Sequence, residues 1–171
     1  MPASPNDLFA TFDRLSIRHS TVQHPALFTV DQSQALRGRV PGAHTKNLFL
    51  KDKKGSLYLV TALEDAAIEL KSLHNTLGAK GRFSFGSADQ MRETLGVEPG
   101  SVTPLGAIND TQGRITVVLD AALMAHELIN AHPLTNTMTT ALAREDLLRF
   151  LRATGHEPLI VAVAGQAAEA R

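Results

Sequence analysis

Helices and strands interleave along these 171 residues without a strict strand-helix-strand repeat, which predicts an α+β fold: one mixed β-sheet with helices packed against it. Three observations support this. Capped amphipathic stretches alternate with short apolar runs, polar glycine-containing turns separate those runs in pairs, and no internal repeat or linker divides the chain.

Ser4-Pro5-Asn6-Asp7 supplies a capping oxygen, a proline in the first turn and an acid at the positive dipole end, so a helix opens there. Leu8, Phe9, Phe12, Leu15 and Ile17 form its apolar face, which predicts an end near His19. Thr21 to Gln23 reads as a strand stopped by His24-Pro25. Thr29-Val30-Asp31-Gln32 is a capping box for a second helix, closed by Gly38 and Pro41-Gly42. Asn47 to Asp52 and Leu57 to Thr61 flank Lys53-Lys54-Gly55-Ser56, a β-hairpin signal. A helix follows from Asp65 to Leu77, and Ser87-Ala88-Asp89-Gln90 starts another that stops at Gly96. Leu105 to Asn109 and Ile115 to Leu119 suggest a second hairpin around Asp110 to Gly113, and Leu128 to Ala131 and Thr137 to Ala141 flank the His132-Pro133 turn. A last helix, Arg144 to Ala153, is capped by Gly155, and Leu159 to Val163 adds a strand before an alanine-rich tail, 164–171, expected to fray.

Composition narrows the chemistry. A chain of this size is most simply one domain, 1–171 with its core over about 5–163, and buries about 70% of its unfolded surface. With no cysteine there is no disulfide, thiolate nucleophile or cysteine metal site, which fits a reducing compartment, and the cytoplasm is the expected location. The N-terminus does not read as a signal peptide and no run is long enough to span a bilayer, so no membrane partner is expected. The histidines lack zinc spacing, and serine-elbow, phosphate-loop and dinucleotide patterns are absent, so neither a metal nor a cofactor is expected. Net charge is zero, against a protein that holds nucleic acid by a broad field. Residues 1–86 nevertheless hold 11 Lys+Arg against 7 Asp+Glu, and residues 87–171 hold 6 against 10. Lys51, Lys53 and Lys54 either solubilise a turn or form a phosphate-contacting edge.

Three segments carry chemistry. Lys46-Asn47 stands where an apolar strand, Leu48-Phe49-Leu50, enters the sheet. Such a lysine either snorkels to solvent or is held in a fixed place by partial burial. Gly100-Ser101-Val102-Thr103-Pro104 is a loop with a permissive start and a stiff exit, able to present N–H groups to a ligand oxygen or simply to connect a helix to a strand. His132-Pro133-Leu134-Thr135-Asn136 is a turn whose histidine either packs or faces a ligand.

In this order and spacing the three segments resemble the YbaK-type aminoacyl-tRNA deacylases, the family of the editing insertion of bacterial prolyl-tRNA synthetases, and within it the free-standing alanyl-tRNA(Pro) deacylases. The likeness covers about residues 5 to 163. It implies a YbaK-like sheet and hydrolysis of mischarged tRNA(Pro) by water attack on the aminoacyl ester. Lys46 would position the tRNA 3′ end and the ester, supported by Asn47. Gly100, Ser101, Val102, Thr103 and Pro104 would bind the aminoacyl group, and His132 would limit what enters, with Thr135 and Asn136 holding the turn. The implied partner is the acceptor end of tRNA(Pro) carrying a wrong amino acid, with room for transient association with prolyl-tRNA synthetase. Phe28, Val30 and Leu48 are candidate pocket walls by apolar character. The ammonium of Lys46 and the glycine-to-proline bend should then face each other across a small cavity. Removal of cysteine instead of alanine, a non-catalytic nucleic-acid-binding module and a regulatory domain binding a small amino acid stay open as alternatives.

Overall fold

The computed structural model describes residues 1–26 and 40–164. The predicted helix at Thr29 to Gly38, the wall candidates Phe28 and Val30, and nearly all of the tail lie outside the described residues. The elements are α1 (Pro5–Arg14), β1 (His19–Gln23), β2 (Ala43–Lys51), β3 (Leu57–Leu63), α2 (Leu70–Leu77), β4 (Ser84–Phe85), α3 (Ala88–Leu95), a 3-10 helix (Pro104–Asn109), β5 (Ile115–Asp120), a 3-10 turn (Leu123–Ala125), β6 (Leu128–Ala131), β7 (Met138–Ala143), α4 (Arg144–Ala153) and β8 (Leu159–Val161).

The strands form one mixed sheet in the order β1-β7-β6-β2-β3-β5-β8, with β4 added beside β2. Pairs β2/β6, β3/β5 and β5/β8 are parallel, and β1/β7, β2/β3, β2/β4 and β6/β7 are antiparallel. One face carries the larger core, in which Leu8 and Phe12 of α1, Leu95 of α3 and Leu147, Phe150 and Leu151 of α4 pack on Phe49, Leu59, Val117 and Ile129. The other face packs Leu50, Val60 and Val118 against Leu73 of α2. The expected mixed sheet with helices against it is therefore present, and strand alternation sorts odd and even residues of β2 onto different layers.

Several boundaries move for identifiable reasons. Helix α1 stops at Arg14, short of His19, because Ser16 takes a left-handed φ of 58° and Ile17 N–H turns back to the Phe12 carbonyl at 2.8 Å. Strand β2 starts at Ala43, four residues before the expected Asn47, since Ala43 and His44 pair with Ile129 and Asn130 of β6. Helix α2 starts at Leu70 rather than Asp65 because the chain first makes a turn, Ala66 N–H to the Leu63 carbonyl at 3.0 Å. The expected strand Leu105 to Asn109 is a 3-10 helix, so the second hairpin does not exist. Pro104 occupies its first turn and Thr103 Oγ1 accepts the Leu105 N–H at 3.2 Å, a cap that overrides the apolar run.

Asp110 ends that 3-10 helix and fixes the path into β5. Its carboxylate accepts the Arg114 N–H at 3.0 Å and the Ile115 N–H at 2.8 Å, and His156 Nε2 lies 2.8 Å away with both side chains 2% exposed. His156 Nδ1 is 3.0 Å from Thr154 Oγ1, so the pair also seats the turn after α4. Truncating one partner of such a buried pair typically costs about 3 to 5 kcal/mol. Asp110→Ala should therefore lose stability in that range by urea denaturation. A loss below about 1 kcal/mol, the ordinary value of a single exposed bond, would show that the pair does not organise this corner.

Candidate functional site

The second edge of β2 is divided. Ala43 and His44 pair with β6, Leu50 and Lys51 pair with β4, and the backbone between them faces no strand on that side among the described residues. Thr45 Oγ1 still reaches the Asn130 carbonyl at 2.7 Å, after which β2 and β6 part. Asn130 fastens the base of the fork through Nδ2, which donates to the Pro41 and Ala43 carbonyls at 2.9 and 3.3 Å. Gly42 is required beside it, with φ +102° and a Cβ position 2.9 Å from that same Nδ2.

The Gly100–Pro104 loop comes to this fork. Asn47 Nδ2 donates to the Val102 carbonyl at 3.0 Å, and Asn47 Oδ1 accepts from Thr61 Oγ1 at 2.7 Å, so one amide joins β3, β2 and the loop. The network fixes which end of the amide is which, because Val102 offers only an acceptor there. Gly100 takes φ +94°, Ser101 N–H donates to the Glu98 carbonyl at 2.9 Å, and Thr103 is fully buried. The N–H groups of Gly100, Val102 and Thr103 find no acceptor among the described residues. Thr103 is buried, Val102 half-buried and Gly100 exposed, so these amides lie between the interior and the surface, where a ligand oxygen can be received.

The third segment closes the other side. Gly96 to Pro99, Ser101 and Leu134 to Asn136 line a hollow of about 330 Å³, so the loop and the His132 turn do meet around a cavity. Leu134 holds a left-handed φ of 69°, a strained conformation for a leucine, and Thr135 Oγ1 sits 3.0 Å from Thr137 Oγ1 inside the turn. Asn136 is 9% exposed.

Lys46 does not line that hollow. It is the fourth residue of β2 rather than the first, and alternation puts it on the face of Leu48 and Leu50, away from Asn47 and Phe49. Its ammonium donates to the Ala66 carbonyl. Of the two neighbours, Asn47 is the one that bonds the loop, while the Lys46 ammonium is held at Ala66.

His132 Nδ1 lies 3.1 Å from the Met138 carbonyl. A carbonyl cannot donate, so Nδ1 carries the proton and a neutral ring leaves Nε2 as an acceptor. Burial pushes the imidazole below its ordinary value, and the nearby His24 pushes it further, against the opposing effect of the Met138 carbonyl. His24 Nδ1 is 2.8 Å from the Pro25 carbonyl and its Nε2 is 2.8 Å from Thr139 Oγ1. His24, Thr61 and Asn130, none of them a site candidate from sequence, also bond within this arrangement. His24-Pro25 repeats the His132-Pro133 dipeptide and was open to notice, whereas Thr61 and Asn130 carry no local signal. Among the described residues no cluster of side chains suits a metal ion.

A model of the aminoacyl-tRNA editing domain family matches residues 24–150. The prolyl-tRNA synthetase associated domain-containing protein 1 of Mus musculus is 43% identical over 151 residues, covering 86% of this chain and 89% of that protein. The prolyl-tRNA editing protein ProX of Acetoanaerobium sticklandii is 33% identical over 150 residues, covering 87% and 91%. A crystal structure of a proposed trans-editing enzyme for prolyl tRNA synthetase superposes with a TM-score of 0.66 at 21% identity, covering 94% and 98%, which shows a shared fold.

The neutral His132 ring has a measurable consequence. Because the unfolded chain takes up a proton on this residue more readily than the folded one, stability should fall as pH drops below about 6.5, and His132→Gln should reduce that slope. An imidazole titration by NMR should place the His132 midpoint below 6.5, and a midpoint at or above it contradicts the burial argument. From the family match over residues 24–150 and the relatives aligned along most of their length, the chain belongs to the aminoacyl-tRNA editing domain family.

Proposed function

We propose that this protein is a free-standing hydrolase that removes a wrong amino acid from tRNA(Pro), alanine above all. The observation that carries the reading is that the glycine loop meets β2 through the Asn47–Val102 bond and meets the His132 turn around a hollow of about 330 Å³, with neighbouring loop amides unclaimed. The 33% identity to a protein named for prolyl-tRNA editing supports the substrate class.

An aminoacyl ester is already activated, so the site must place a water, hold the carbonyl and stabilise the charge that develops on its oxygen. Loop amides at Gly100, Val102 and Thr103 serve as donors to that oxygen, each fixed donor being worth about 3 kcal/mol. Lys46 holds the phosphate and ribose of the 3′ end from the opposite face of the strand, exchanging the Ala66 carbonyl for substrate oxygen as its flexible stem allows. His132 bounds the aminoacyl group, with Thr135 and Asn136 shaping the turn beneath it. Selectivity comes from size. A proline site rejects the smaller alanine by only about 1 to 3 kcal/mol per methylene, so a second site too small for proline hydrolyses what fits.

Hydrolysis of alanyl-, cysteinyl- and seryl-tRNA(Pro) by the whole chain tests this. Alanyl-tRNA(Pro) should turn over fastest, and Lys46→Ala should slow it by at least about 100-fold with the circular-dichroism spectrum unchanged. Normal turnover by that folded variant removes Lys46 from the mechanism, and RNA retention without turnover by the parent would make the protein a binding module.

A further inference from the structure

The turn between β2 and β3 is fastened from within. Asp52, 4% exposed, accepts the N–H groups of Lys54 and Ser56 on Oδ1, both at 2.9 Å, and that of Lys80 on Oδ2 at 3.1 Å. Lys53 N–H donates to the Lys80 carbonyl at 3.0 Å. These bonds join the turn to the loop after α2, so Lys53, Lys54 and Lys80 stand on two segments fastened side by side.

The Asp52 carboxylate is met by backbone N–H groups, so it does not tie down the ammonium groups around it. All three lysines are exposed, and none is held in an ion pair among the described residues. Lys53 is also seated. A Cβ on Gly81, whose φ is +91°, would come within 2.7 Å of Lys53 Cδ and 2.8 Å of its Cγ, so the aliphatic stem lies directly along the glycine backbone. A lysine that serves only solubility has no need of such a groove, because a free stem retains more rotamer entropy.

We infer that Lys53, Lys54 and Lys80 form a seat for the backbone phosphates of duplex RNA, separate from the site at the fork. The inference rests on the reading of the chain as acting on charged tRNA. Lys46 and Lys51 stand five strand steps apart, roughly 17 Å, and the turn lies beyond Lys51. An RNA whose single-stranded 3′ end reaches the fork would therefore present its duplex toward the turn. With zero net charge overall, attraction for the phosphates must be local, and three lysines around the single Asp52 carboxylate at this turn supply it.

The test uses an uncharged acceptor-stem RNA hairpin with a single-stranded 3′ end, its affinity followed by fluorescence anisotropy between about 50 and 200 mM salt. Each phosphate contact contributes about 0.7 to 0.9 to the slope of log K against log salt, so the variant Lys53→Ala, Lys54→Ala, Lys80→Ala should lose about two units of slope and bind at least about 10-fold more weakly at low salt. The corresponding triple arginine variant should keep the slope. Turnover of charged RNA at saturation should be unchanged in both. An unchanged slope in a folded triple alanine variant overturns the seat, as does tighter binding to vesicles of anionic lipid than to the hairpin. Because the hairpin carries no amino acid, its binding reads the seat even if the protein proves unable to hydrolyse any ester.

Discussion

The Asn47 amide is the interaction on which the site depends. β2 has one edge continuously paired with β3, and the other divided between β6 at its start and β4 at its end. Between them a loop must come to a strand edge without becoming a strand, because Pro104 has no N–H to add to a ladder and Gly100 turns through a left-handed conformation. A side-chain amide solves this. Asn47 takes the Val102 carbonyl, which would otherwise be half-buried and unpaired, and passes the load through its own oxygen to Thr61 on β3. Only a residue with both a donor and an acceptor at that reach satisfies both neighbours, and aspartate would meet Val102 with a second acceptor.

That arrangement also divides labour between the two faces of one strand. Odd residues of β2 look toward the larger core and the loop, and even residues toward α2, so the adjacent Lys46 and Asn47 leave the strand on opposite faces. A substrate that uses both must straddle the strand at the point where the edge is open. An acceptor end, thin and single-stranded, has the shape to do this, whereas a compact amino acid alone does not.

The coarse fold was legible because its signals are local. The capping boxes at Ser4 and Ser87, the apolar faces of α1 and α4, and the turn after Lys51 each follow from a few neighbouring residues. What failed to show depends on distant partners. Leu105 to Asn109 has the apolar character of a strand, but Thr103 and Pro104 start a 3-10 helix and Asp110 finishes it through His156, 46 residues away. The start of β2 is set by pairing with β6, some 85 residues on, and nothing in Ala43-His44-Thr45 announces it. For the site, the three segments could be picked out and Asn47 tied to them, yet which of Lys46 and Asn47 faces the loop depended on the strand's starting residue and its buried face. Misplacing that start by four residues was enough to put the ammonium at the strand entrance.

The two His-Pro dipeptides extend the same logic to charge. Each proline directs its preceding histidine into an extended conformation, and in each case Nδ1 is taken by a carbonyl, Pro25 for His24 and Met138 for His132. Both rings are thereby held in the tautomer that leaves Nε2 without a proton when neutral. His24 spends that lone pair on the Thr139 hydroxyl, while the lone pair of His132 has no described partner. Since Thr139 lies directly opposite His132 in the continued β6/β7 register, the two rings approach on one side of the hairpin, and protonating both would place like charges together. Burial displaces the half-buried His132 toward the neutral form. Burial therefore does two things at this turn: it disfavours a second positive charge next to His24, and it leaves Nε2 of His132 as a hydrogen-bond acceptor.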